Sequence, residues 1–128
     1  MIERIDHINI KTARFAETVA FYEAVFDLRQ MPALTMEDQE ANVWLATAEG
    51  RTLIHVNTTE TERPAASLST LDHVAFAGVD LVAMRERLDR LGIEHGHMVS
   101  RVPTIEQIFL SDPNGIRIEI TFVRSSED

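Results

Sequence analysis

Residues 2–10 (Ile-Glu-Arg-Ile-Asp-His-Ile-Asn-Ile) follow the apolar–polar pattern of a half-buried strand. Phe15, Val19, Tyr22 and Phe26 then recur at spacings of 4, 3 and 4, the core stripe of an amphipathic helix that ends near Asp27-Leu28. Strands are predicted over 28–37, 41–48 and 51–57. Pro32 makes the first of these an edge or bulged strand, and Glu49-Gly50 joins the last two by a tight turn. The predicted order is β-α-β-β-β. Residues 58–69 are polar, with Pro64 and few large apolar side chains, and read as a linker.

The second half replays the order. A strand is predicted over 71–79, with Asp80 as the N-cap of a helix whose stripe is Leu81, Met84, Leu88 and Leu91 and whose stop is Gly92. Strands over 93–101, 104–111 and 116–123 follow, the last two joined by the turn Asp112-Pro113-Asn114-Gly115. Residues 124–128 form a polar tail.

The replay extends to individual residues. Ile5-Asp6-His7-Ile8 matches Leu71-Asp72-His73-Val74 at an offset of 66 residues, and Val43-Trp44-Leu45 with Gly50 matches Ile108-Phe109-Leu110 with Gly115 at 65. Leu53-Ile54-His55-Val56 matches Arg117-Ile118-Glu119-Ile120 at 64, a drift of the kind loop insertions produce. The expectation is one α+β domain over 1–128 made of two β-α-β-β-β modules, about 1–57 and 70–124. Each strand buries one face under a helix, and the other faces form a cup-shaped mixed sheet.

Four potential metal ligands fall at equivalent places in the repeat: His7 with His73, and His55 with Glu119. Imidazoles and carboxylates suit divalent zinc, nickel, manganese or iron. A lone strand histidine is usually a packing or surface residue, but independent core histidines have no reason to occupy matching positions. By side-chain alternation, Asn9 and Arg117 share the ligands' face and are candidates for holding a polar or anionic substrate group. Trp44 and Phe109 are candidates for an apolar wall. Asp6 and Asp72 are expected on the opposite face in a structural role, Tyr22 in the core, and His95 and His97 at the surface.

Charge and cysteine content narrow the classes further. A net charge of −9 argues against nucleic acid as a partner, and the absence of cysteine removes disulfides and thiolate chemistry. A hydrophobic content of 45% with 26% charged residues is that of an ordinary globular protein. No apolar run has membrane-helix length, and Met1-Ile2-Glu3-Arg4 leads straight into a strand, so neither a membrane partner nor a signal peptide is expected. A cytoplasmic protein with a small-molecule substrate is the simplest reading.

These residues, together with Phe21-Tyr22, Asp112-Pro113-Asn114-Gly115 and Ile118-Glu119-Ile120, resemble the vicinal oxygen chelate superfamily. It includes glyoxalase I, extradiol dioxygenases, fosfomycin-resistance enzymes and bleomycin-resistance proteins. The resemblance covers almost the whole chain. It implies one divalent metal per site held by His7, His73 and Glu119, and a homodimer in which modules of two chains can build a site together. His55 stands where glyoxalase I has a glutamate, so it is a candidate fourth ligand and, with Glu119, a candidate for catalytic proton transfer. The implied activity is a glyoxalase-like lyase or isomerase. An Fe(II) extradiol dioxygenase is the alternative, and a metal-free drug-binding protein a third.

Overall fold

A computed structural model describes residues 1–32, 38, 40–64, 69–101 and 104–124. The chain divides into two compact units, Met1–Arg63 and Pro64–Asp128. Both repeat the β-α-β-β-β order anticipated from the sequence, and the architecture is α+β, with two helices and two four-stranded mixed sheets.

In the first unit, β1 (Ile8–Thr12) leads into α1 (Phe15–Phe26), followed by β2 (Arg29–Pro32), β3 (Asn42–Ala46) and β4 (Thr52–Thr58). The sheet order is β1-β4-β3-β2, with β1 parallel to β4 and the other pairs antiparallel. Ile10, Val43, Leu45, Ile54 and Val56 are buried, as are Val19 and Tyr22 of the helix stripe and Val25 next to it, while Phe15 and Phe26 are half-buried. Asp27 ends α1 in the left-handed conformation. Pro32 closes the edge strand β2, whose residues are all exposed, consistent with its missing donor. The remainder of the predicted 28–37 strand lies outside the described residues.

The second unit runs β5 (Val74–Gly78), α2 (Leu81–Arg90), β6 (Gly96–Val99), β7 (Ile105–Ser111) and β8 (Arg117–Val123), with sheet order β5-β8-β7-β6 and β5 parallel to β8. Asp80 caps α2 through its carboxylate, which accepts from the Ala83 amide at 3.0 Å. The Asp112–Gly115 turn is tied by the Asp112 carboxylate, which accepts from the amides of Asn114 and Ile116 at 2.8 and 2.9 Å, and Gly115 takes φ 77°. Ile108, Leu110, Ile118, Ile120 and Phe122 are buried. Gly78 lets the chain lie close to that core. A Cβ there would sit 2.6 Å from both Ile120 and Phe122 side-chain atoms.

Three differences from expectation concern strand ends and histidines. The first strand begins at Ile8 rather than Ile2, and its repeat mate at Val74 rather than Leu71, leaving Ile5 and Leu71 exposed. β6 is confined to Gly96–Val99 within the predicted 93–101. His95 is partly buried rather than at the surface, whereas His97 is exposed as expected, though its ring is engaged. His95 Nδ1 donates to the Ile93 carbonyl at 2.8 Å, and His97 Nε2 meets the buried Glu106 carboxylate at 2.6 Å. Arg124 pairs with the other oxygen of Glu106, so a carboxylate on the core face of β7 is held between the His97 ring and the Arg124 guanidinium. No helix among the described residues is long and apolar enough to cross a membrane.

Candidate active site

In the first unit α1 packs on β3 and β4, and in both units side-chain alternation sorts the predicted residues onto the open face, opposite the buried apolar one. On the open face of the first sheet, Trp44 lies directly opposite His55, and Asn9 is its neighbour on the other side. The His7 ring meets Trp44 edge-on, with centroids 4.4 Å apart at 75°, while His55 stacks on Trp44 at 4.6 Å and 18°. Trp44 is thus clamped between the two candidate histidines of its unit. Burial, reinforced by the nearby His7, holds the His55 pKa below its ordinary value, so the ring is neutral near pH 7.

On the open face of the second sheet, Glu119 lies opposite Phe109 and beside Ala75. The Gln107 amide donates to Glu119 Oε1, and Glu119 Oε2 stands 3.6 Å from His73 Nε2. Asp72, His73, Phe109, Ser111 and Arg117 line an open cavity of about 720 Å³ together with residues 93–96.

Asp6 and Asp72 do not face away from the histidines. Asp6 Oδ2 accepts from His7 Nδ1 at 2.7 Å, and Asp72 Oδ2 from His73 Nδ1 at 2.8 Å. The alternation that predicted the opposite face does not reach them, because both Asp-His pairs precede their strands. The hydrogen bond from the neighbouring imidazole is the main reason each carboxyl is held below the usual carboxylate range. A carboxylate oxygen only accepts, so each Nδ1 carries its proton, and in the neutral ring Nε2 is left with its lone pair.

Arg117 is exposed on the open face and reaches Asp72 Oδ1 at 3.3 Å. The Asn9 side chain is engaged within the protein: its amide donates to the His55 carbonyl at 3.1 Å and to Asn57 Oδ1 at 2.9 Å. The four ligand candidates come as one pair per unit, His7 with His55 and His73 with Glu119. Among the described residues no three histidine, aspartate or glutamate side chains gather into a metal-holding cluster.

Two residues of this face escaped the sequence reading. Asn42 Oδ1 lies 3.1 Å from His55 Nε2, and Gln107 stands in the same relation to Glu119. They are repeat mates at the offset of 65 that already linked Trp44 to Phe109, each two residues earlier on the same face.

The sequence profile of the Glyoxalase/Bleomycin resistance protein/Dioxygenase superfamily matches residues 4–120. The chain belongs to that superfamily. Among solved structures, a Bacillus anthracis protein assigned to the glyoxalase family is similar at TM-score 0.72 and 24% identity, over 97% of this chain and 98% of that one. The fosfomycin resistance protein FosX of Listeria monocytogenes is similar at TM-score 0.72 and 18% identity, over 99% and 98%. A glyoxylase/bleomycin resistance protein/dioxygenase domain from Frankia sp. reaches TM-score 0.76 at 15% identity, over 98% and 96%. At such identities the likeness is one of fold. No protein of curated function matches the chain in sequence.

Proposed function

We propose that the chain is a divalent-metal-dependent lyase or isomerase acting on a small substrate that chelates through neighbouring oxygens, with His7, His73 and Glu119 as ligands of zinc, nickel, manganese or iron. The observation that carries the reading is the paired use of Asp6 and Asp72. A metal-binding imidazole characteristically donates its other ring N–H to a carboxylate, which fixes the tautomer and raises the basicity of the ligating nitrogen. Both Asp-His pairs have that form.

The donor chemistry of the second unit fits a dication as well. Two donors each ~2.1 Å from one ion lie roughly 3–3.5 Å apart, close to the 3.6 Å between His73 Nε2 and Glu119 Oε2. Gln107 occupies Oε1 and leaves Oε2 for the ion. When bound, the ion supplies Lewis-acid stabilisation of negative charge on a chelated oxygen.

The chain's own residues do the rest. Trp44 and Phe109 offer apolar walls, Arg117 an exposed cation for an anionic substrate group, and the neutral His55 and Glu119 are the candidate proton acceptors. The reading includes one catalytic domain made of both units, and a homodimer. Elemental analysis of protein purified without chelators or an affinity tag tests the metal. Stoichiometric metal in the wild type and its loss in His73→Ala are the expected results, and full occupancy in that variant would exclude the ligand set.

One observation favours a second reading. Two histidines and one carboxylate are the ligand set of oxygen-activating iron sites, which need open positions. After anaerobic Fe(II) loading, an oxygen electrode decides between them. The lyase or isomerase reading expects no catechol-dependent uptake, and rapid uptake would put the dioxygenase first.

A further inference from the structure

His55 uses its nitrogens in the opposite sense from His7 and His73, and a single side chain dictates this. The Asn42 amide nitrogen donates to the Asp38 carbonyl at 3.0 Å. Turning the amide over would set its oxygen against that carbonyl, two acceptors in contact, so the orientation is determined by the network. Asn42 Oδ1 therefore faces His55 Nε2, 3.1 Å away, and an amide oxygen can only accept. Nε2 must carry the proton. In the neutral ring this leaves Nδ1 as the only nitrogen with a lone pair. The ring has little freedom to rearrange, because Trp44 stacks on one side and Asn9 pins the backbone carbonyl of His55.

We infer that Asn42 is a positioning residue that fixes His55 in the Nε2–H tautomer, withholding Nε2 from metal and reserving Nδ1 as a proton acceptor. The mechanistic half rests on the metal-dependent reading given above; the tautomer itself does not. The repeat gives the inference its sense. Gln107 donates to Glu119 and leaves one carboxylate oxygen open, whereas Asn42 accepts from His55 and closes one nitrogen. Two amides at equivalent positions thus face their partners with opposite polarity. One completes a ligand, and the other keeps a would-be ligand off the ion.

Imidazole ¹⁵N–¹H correlation spectra of the metal-free protein at pH 8 test this directly, with His55 assigned by its disappearance in His55→Gln. The expected wild-type signature is Nε2–H for His55, opposite to that of His7 and His73. Asn42→Leu, close in size, should abolish that preference. Asn42→Asp, whose carboxylate also accepts, should retain it. Zinc is then added, and the number of coordinated imidazoles is counted by X-ray absorption. Two are expected in the wild type, and a third in Asn42→Leu with at least ~10-fold tighter zinc binding, the lower end of effects seen when a metal's supporting shell is altered.

An Nδ1–H tautomer for His55 in the wild type would overturn the inference, as would a third zinc-bound imidazole there. The wild-type spectrum decides the tautomer even where Asn42→Leu fails to fold. Failure of zinc to bind any form would instead remove the metal reading, leaving the spectra to judge Asn42 alone.

Discussion

The two units are copies in chain order but not in material. In the first, α1 buries Thr18, Val19, Tyr22 and Val25, and the open face of its sheet is a run of rings, His7 edge-on to Trp44 and His55 stacked on it. In the second, α2 buries only Leu88 and carries Arg85, Glu86, Arg87, Asp89 and Arg90. Its open face sets Phe109 among an acid, an amide and an arginine, namely Glu119, Gln107 and Arg117. Where the first unit has Ala41, the second has the buried Glu106 between His97 and Arg124. Duplication supplied the positions. What each half places there decides whether its open face carries a neutral imidazole packed on an indole, or a carboxylate beside an amide.

The largest test of the contrast is stability. Tyr22→Ala empties a fully buried site in the α1 core and is expected to cost about 3–5 kcal/mol, against roughly 2–4 kcal/mol for Leu88→Ala in α2, both read from urea unfolding. Equal losses would mean that the two helices anchor their sheets equally. Next in size is metal affinity. His73→Ala removes a proposed ligand and should weaken zinc binding by more than about 100-fold, beyond the effect of losing a supporting group. Smaller again are the carboxylates behind the histidines. Asp6→Asn and Asp72→Asn should each weaken zinc binding roughly 10–100-fold by titration calorimetry. Asp72→Asn additionally leaves Arg117 without its carboxylate partner, so only that variant should alter affinity for an anionic inhibitor.

The smallest expected effect is a pH dependence of the metal-free protein. Burial lowers the His55 pKa, so the unfolded chain takes up the proton first as pH falls. Stability is therefore lost as pH drops from the ordinary histidine value of about 6.5 toward the folded value, and is unaffected by this group above it. His55→Gln removes the titration and should flatten that limb of the stability profile. An unchanged slope would show that the limb belongs to other groups.

Much of this arrangement was legible in the chain. The repeat offsets matched Trp44 with Phe109 and His55 with Glu119, and the structure sets each aromatic directly opposite the candidate ligand of its own unit. The ends of elements were less so. Nothing in Ile5-Asp6-His7 marks the strand as starting at Ile8, and that short difference decides whether Asp6 turns away from His7 or hydrogen-bonds to it. Asn42 and Gln107 carried a usable signal, being two residues before an aromatic on the same face. Their amide polarity carried none, since it depends on Asp38 in one case and a carboxylate in the other. The partner of His97 went unread for a related reason: Glu106 is a charge on a core position, which no hydrophobic pattern announces.

The parallel pairing of first strand with last has a consequence for how the chain is made. In the first unit, β1 must wait for β4, and the contact between Asn9 and His55 spans 46 residues. Closing so long a segment is slow relative to forming a hairpin, and on a ribosome it cannot begin until β4 has emerged. Residues β3 and β4 need can pair as they appear, and β1 docks afterwards against an edge already in place. Since Met1–Arg63 is compact in its own right, that docking can finish while the second unit is still being translated. The groups that orient His55, namely Asn42, Trp44 and Asn9, all belong to that first stretch of chain.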